Sequence, residues 1–147
     1  MKFFMILGGL TFACILFIFM PIGFLKAAPA TENEAVETGR LLALLFDAGR
    51  VVIVENQPLI NDPKRGDKGF TPKVFEKQLV REFKERSGVD LANLKGANLP
   101  EMAKKLLPQL VEASKSTISD NQLLINRPGL SFKGFIPAIF GIQTIAK

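Results

Sequence analysis

Asn56-Gln57-Pro58-Leu59-Ile60-Asn61-Asp62-Pro63, followed after four residues by Lys68-Gly69-Phe70-Thr71-Pro72 and then Phe75, is met a second time further along the chain. There it reads Asn121-Gln122-Leu123-Leu124-Ile125-Asn126-Arg127-Pro128, then Lys133-Gly134-Phe135-Ile136-Pro137 and Phe140. Eleven of the twenty positions are identical, and laying 41–75 over 106–140 without a gap raises the tally to 16 of 35. A long internal repeat at a fixed offset marks a supersecondary unit used twice. Upstream of the shared loop, Leu41, Leu42, Leu45, Ala48 and Ile53 return as Leu106, Leu107, Leu110, Ala113 and Ile118. The unit is therefore larger than a loop.

Each unit reads as helix, turn-rich loop, helix. Leu41, Leu45, Ala48 and Val52 step by four, three and four, the spacing of one helical face, which predicts a helix over 34–55. Pro58, Pro63, Gly66 and Gly69 break regular structure in the loop that follows. Thr71 fits an N-cap with Pro72 in the first helical position, where a missing amide proton costs nothing. Phe75, Leu79 and Phe83 then share a face, Glu82 and Arg86 pair across a turn, and Gly88 ends the helix. A connector over 89–99 leads to Pro100 and the third helix, where Pro108 predicts a kink or a late start. Leu59-Ile60 and Leu123-Leu124-Ile125 are candidates for short strand bridges. The second unit repeats the plan from Pro137, but Lys147 arrives early in its last helix, so the unit reads as C-terminally truncated. The expected fold is mainly α: an N-terminal transmembrane or signal helix in 1–30, then a helical domain in 31–147 with repeat units 41–75 and 106–140.

Residues 3–25 carry no charge, between Lys2 and Lys26. In a helix such a run crosses a hydrocarbon core of about 30 Å. It is either a retained signal anchor, which its length favours, or a signal peptide cleaved after Ala28-Pro29-Ala30. Lys2 and the amino terminus favour the cytoplasm, which places the body outside it, on a single-pass inner-membrane anchor in a bacterial envelope. Cys14 packs within the apolar run.

Composition restricts the chemistry of the body. The sequence contains no His, Trp or Tyr and only one Cys, so an imidazole base or ligand, a disulfide and a thiol nucleophile in the body are all excluded. Setting Lys2 and Lys26 aside leaves 17 basic against 14 acidic residues of the net +5 chain. That is a mixed surface without a basic stripe, and no nucleic-acid partner is expected. Asp62 and Asp67 lie among Lys64, Arg65 and Lys68, while Asp90, Glu101 and Glu112 are scattered. Neither set has the spacing of a calcium loop or of an acid and base pair. No catalytic, metal or cofactor residues are assigned, and the chain is read as a non-enzyme. Asn61, Lys68, Asn126 and Lys133 are the candidate anion or ligand contacts, because Lys-Gly precedes a helix N-terminus in both units. The competing reading makes them turn residues, with lysine in solvent and glycine at positive φ. Asn56, Gln57, Asn121 and Gln122 are read as helix-end hydrogen bonders, and Phe70, Phe75, Phe135 and Phe140 as core.

On the phrases Glu55-Asn56-Gln57-Pro58-Leu59-Ile60-Asn61, Lys68-Gly69-Phe70-Thr71-Pro72 and Lys133-Gly134-Phe135-Ile136-Pro137-Ala138, the chain resembles the N-terminal half of a bacterial c-type haem family of extracytoplasmic domains. The resemblance implies a PAS-like α+β sensor module, found alone or ahead of histidine kinases and chemoreceptors, that reports redox state or a ligand. It also implies a covalently attached haem. The family's Cys-x-x-Cys-His motif lies beyond the part this chain covers, and no residue here matches it. Two roles follow as expectations: a sensor-type ectodomain, in a truncated or cofactor-free short form, and a small envelope interaction or scaffold protein. Expected partners are the membrane and either a second copy or an envelope signalling protein.

Overall fold

The computed structural model describes residues 31–147. Six α-helices follow in order: α1 (Glu32–Glu55), α2 (Gln57–Ile60), α3 (Pro72–Ser87), α4 (Glu101–Asp120), α5 (Gln122–Ile125) and α6 (Pro137–Ile145), with a 3-10 segment, Leu91–Gly96, before α4. Among the described residues there is no strand. The segments expected as short bridges, Leu59-Ile60 and Leu123-Leu124-Ile125, belong instead to the single-turn helices α2 and α5. Asn56 and Asn121 begin them with φ/ψ near the helical region, so each chain passes from a long helix into a short one without extending.

Local signals set the helix ends. Thr31 and Glu34 form a capping box at the start of α1. At α3 the Thr71 hydroxyl accepts from the Val74 amide at 3.3 Å, Pro72 stands in the first turn, and Gly88 closes the helix in the left-handed conformation. Pro108 neither delays nor divides α4, which starts at Glu101 and passes through it. The proline is exposed, and what it costs the helix is one backbone hydrogen bond, that to the Lys104 carbonyl.

The four longer helices pack as two interlocked pairs. α1 lies against α4, and both α3 and α6 dock on each of them. One continuous core joins the units, with Leu41, Leu45, Phe75, Phe83, Leu107, Ile118 and Phe140 all at 1% exposure or less. Fully burying one such side chain contributes about 1.5–3 kcal/mol. Phe75 meets its repeat twin Phe140 with ring centroids 5.4 Å apart, and Phe70 meets Phe75 edge-on at 6.2 Å. Phe70 and Phe135, equivalent in sequence, are each 1% exposed. No helix among the described residues is long and apolar enough to cross a membrane. The apolar run 3–25, Cys14 and the cleavage signal at 28–30 lie outside the described residues.

Candidate functional site

The repeated polar residues meet where the two units join. On α2 a spacing of four puts Gln57 and Asn61 on one side of a single turn, and α5 does the same with Gln122 and Asn126. Each pair grips the backbone of the other unit's Lys-Gly-Phe. The Gln57 amide donates to the Phe135 carbonyl at 2.8 Å, and the Lys133 amide donates to Asn61 Oδ1 at 3.1 Å. The mirror set is present: Gln122 donates to the Phe70 carbonyl at 3.0 Å and the Lys68 amide to Asn126 Oδ1 at 2.9 Å. Within each pair the asparagine donates to the glutamine, at 2.9 Å in the first unit and 3.3 Å in the second. The gripped segments can present N–H and C=O in this way because Gly69 and Gly134 take φ of 64° and 71°, which a side chain would oppose.

Reciprocity fixes the relation between the units. When residue i of one copy holds j of the other and j holds i in return, the copies are related by a two-fold rotation. The same rule explains the Phe75–Phe140 self-pair, while the Asn56–Gln78 and Asn121–Gln143 bonds, both 2.7 Å, are one contact within the unit made once in each copy. The molecule is an internal pseudo-dimer.

Symmetry fails at the lysines, for a physical reason. Lys68 and Lys133 are 3% and 5% exposed, so the expectation that lysine here stays in solvent is corrected. Lys133 Nζ crosses to the Ile60 carbonyl, whereas Lys68 Nζ turns back to the carbonyl of Asp62 in its own loop at 2.7 Å. The two ammonium groups lie close enough to repel each other, and each takes a different carbonyl. Burial first, and the neighbouring Lys68 ammonium second, hold Lys133 below the ordinary lysine value, against an opposing pull from Asp62.

The structure thus brings Asn61, Lys68, Asn126 and Lys133 together. Their backbone amides and ammonium groups already have protein acceptors at the joint. Asn56 and Asn121 also donate back to Val52 and Thr117 at the ends of α1 and α4, as helix-end residues do. Asp62 and Asp67 accept from the amides two residues on, Lys64 and Gly69, in Asx turns. Asp90, Glu101 and Glu112 pair with Lys84, Lys104 and Lys115 on the surface.

The chain matches no family model, no curated protein and no solved structure. The haem implied by the resemblance can therefore be weighed only against the donors present. Covalent attachment needs two thiols beside a histidine, and the sequence has Cys14 alone and no histidine. Met102, the one methionine of the body, is 49% exposed on α4. The donor set does not fit the group.

Sequence reasoning missed an apolar groove beside α6, walled in part by Leu42 and Leu106. The signal was available: the repeat register aligns both with core leucines.

Proposed function

We propose that this chain is a membrane-anchored, extracytoplasmic sensor-type module without catalytic activity, related to the N-terminal half of PAS-like c-type haem domains but holding no haem. In this reading the apolar run 3–25 is a retained single-pass anchor in a bacterial inner membrane, and the body lies in the periplasm or outside the cell. The observation that supports it best is the course of α1. It begins at Glu32, seven positions after the apolar run, and continues unbroken for 24 residues, about 36 Å at 1.5 Å per residue. Its far end meets the joint, where Gln57 holds Phe135. A rigid helix between the proposed anchor and the reciprocal joint is a direct path for passing a displacement from one to the other. A change at the joint is then felt beside the membrane.

A reporter active only outside the cytoplasm, fused at Lys147, tests the topology. The proposal expects activity, sedimentation with membranes and a mature mass that retains residues 1–30. Strong activity of a cytoplasmic reporter at the same position overturns it. The second reading, a small envelope interaction or scaffold protein, is favoured by the apolar groove.

A further inference from the structure

The clasp between the units is made twice, but the lysines inside it are not placed twice. Gln57 and Asn61 hold the second unit as Gln122 and Asn126 hold the first. Under that two-fold relation, the counterpart of the bond from Lys133 Nζ to the Ile60 carbonyl is one from Lys68 Nζ to the Ile125 carbonyl. Lys68 turns back instead to the Asp62 carbonyl, at 2.7 Å. The Ile125 carbonyl belongs to a fully buried residue, and no hydrogen-bond donor among the described residues reaches it. The joint therefore holds an acceptor suited to the arrangement that it does not adopt.

A loop bond leans the same way. The Gly129 amide crosses to the Pro63 carbonyl at 2.8 Å, whereas its twin, the Lys64 amide, stays within its own loop and donates to Asp62 Oδ1 at 2.9 Å. Both differences trace to one pair of positions, because the twin of Asp62 is the exposed Arg127. Arginine offers no acceptor to the amide two residues on. A lysine turned back to residue 127 would also set its ammonium beside a guanidinium, where Lys68 has a carboxylate in the same loop. The Asp62 carboxylate is felt by the lysines, since it opposes the effects of burial and of Lys68 on Lys133. The other charged groups nearby, Lys64, Arg65 and Asp67 on the loop and Glu55, Lys73 and Asp120 at adjoining helix ends, are exposed, and α2, α5 and α6 carry none.

We infer that the joint is a two-state element whose state is chosen by the Asp62–Arg127 difference. In the second state Lys68 crosses to the Ile125 carbonyl and Lys133 turns back to the carbonyl of residue 127, while the four bonds of the clasp stay as they are. Charge at positions 62 and 127 thus decides which unit's lysine reaches into the other. This inference rests on the joint alone and does not depend on the sensor reading.

The sequence offers a direct test, because its only Ile-Asn steps are Ile60-Asn61 and Ile125-Asn126. The full chain in detergent micelles, labelled with carbon-13 at the isoleucine carbonyls and nitrogen-15 in asparagine, gives one coupled carbonyl signal for each step in carbon-detected NMR. Asn126→Gln removes one signal and so assigns both. On alkaline titration of the natural chain, the Ile60 signal should move further than the Ile125 signal, with a midpoint below the ordinary lysine value, and Lys133→Met should abolish the movement. In Asp62→Arg/Arg127→Asp the order should reverse, with Lys68→Met now abolishing the movement of Ile125. Arg127→Asp alone changes one exposed side chain and places a carboxylate in both loops, so it should bring the two shifts toward equality. An order unchanged from the natural chain in either folded variant overturns the inference, as does an Ile60 movement that survives Lys133→Met.

Discussion

At the scale of single residues, the joint rests on hydrogen bonds to backbone groups that have no other partner near. Asn61→Ala leaves the Lys133 amide without its acceptor, and a buried donor stripped of its partner costs about 1–3 kcal/mol. Asn126→Ala should cost a similar amount through Lys68, and both are readable as shifts of the urea midpoint. By contrast, Arg86→Ala removes ion pairs to Glu82 and Asp47 at the edge of solvent, and should cost less than either asparagine change. Lys133 predicts a pH dependence whose sign can be worked out. Its folded pKa lies below the ordinary lysine value, so between the two the unfolded chain binds the extra proton and stability rises with pH. Lys133→Met, which keeps the length and removes the charge, should lose that alkaline rise. A rise of equal size in Lys133→Met would assign it to another group. The identity of these residues was legible from the repeat, and so was their place at turns and helix ends. Their partners were not, because Asn61 binds an amide 72 positions away and nothing in local spacing reports which copy a side chain will hold. The burial of the lysines was hidden for the same reason.

At the scale of elements, the long helices were legible from apolar spacing and caps. Thr71→Ala should destabilise by about 0.5–2 kcal/mol, the usual cost of an N-cap, read in the same denaturation experiment. The twin position Ile136 has no side-chain cap to lose. Gly49 shows how far the halves have diverged. A Cβ there would come within 2.9 Å of the Phe140 ring, so Gly49→Ala should cost about 1–3 kcal/mol by overpacking. Its twin is already Ser114, which turns its hydroxyl back to the Leu110 carbonyl at 2.7 Å, and Ser114→Ala should be mild by comparison. α2 and α5 escaped the sequence reading because Leu59-Ile60 and Leu123-Leu124-Ile125 fit a strand bridge as well as part of one helical turn. The choice is made by the Gln and Asn, which must share a side to grip the other unit. Pro108 shows that an exposed proline can be carried within a helix that its neighbours hold by packing.

At the scale of the whole molecule, a duplicated unit has folded against its copy. The repeat was plain in the sequence, but its geometry was not, since tandem units can stack by translation as readily as pair by rotation. The distinction bears on function, because rotation creates the joint. It also bears on the cofactor: expressed with a working haem-attachment system, the chain should carry no haem that survives denaturation, and a stoichiometric, denaturation-resistant haem would contradict the donor argument. The central claim is that the units clasp each other reciprocally, and amide hydrogen exchange in Asn61→Ala tests it most directly. The account predicts faster exchange at the Lys133 amide, in the opposite unit, while the Lys68 amide keeps its protection, with the reverse pattern in Asn126→Ala. If Asn61→Ala instead exposes the Lys68 amide of its own unit and leaves Lys133 protected, the two-fold joint is contradicted.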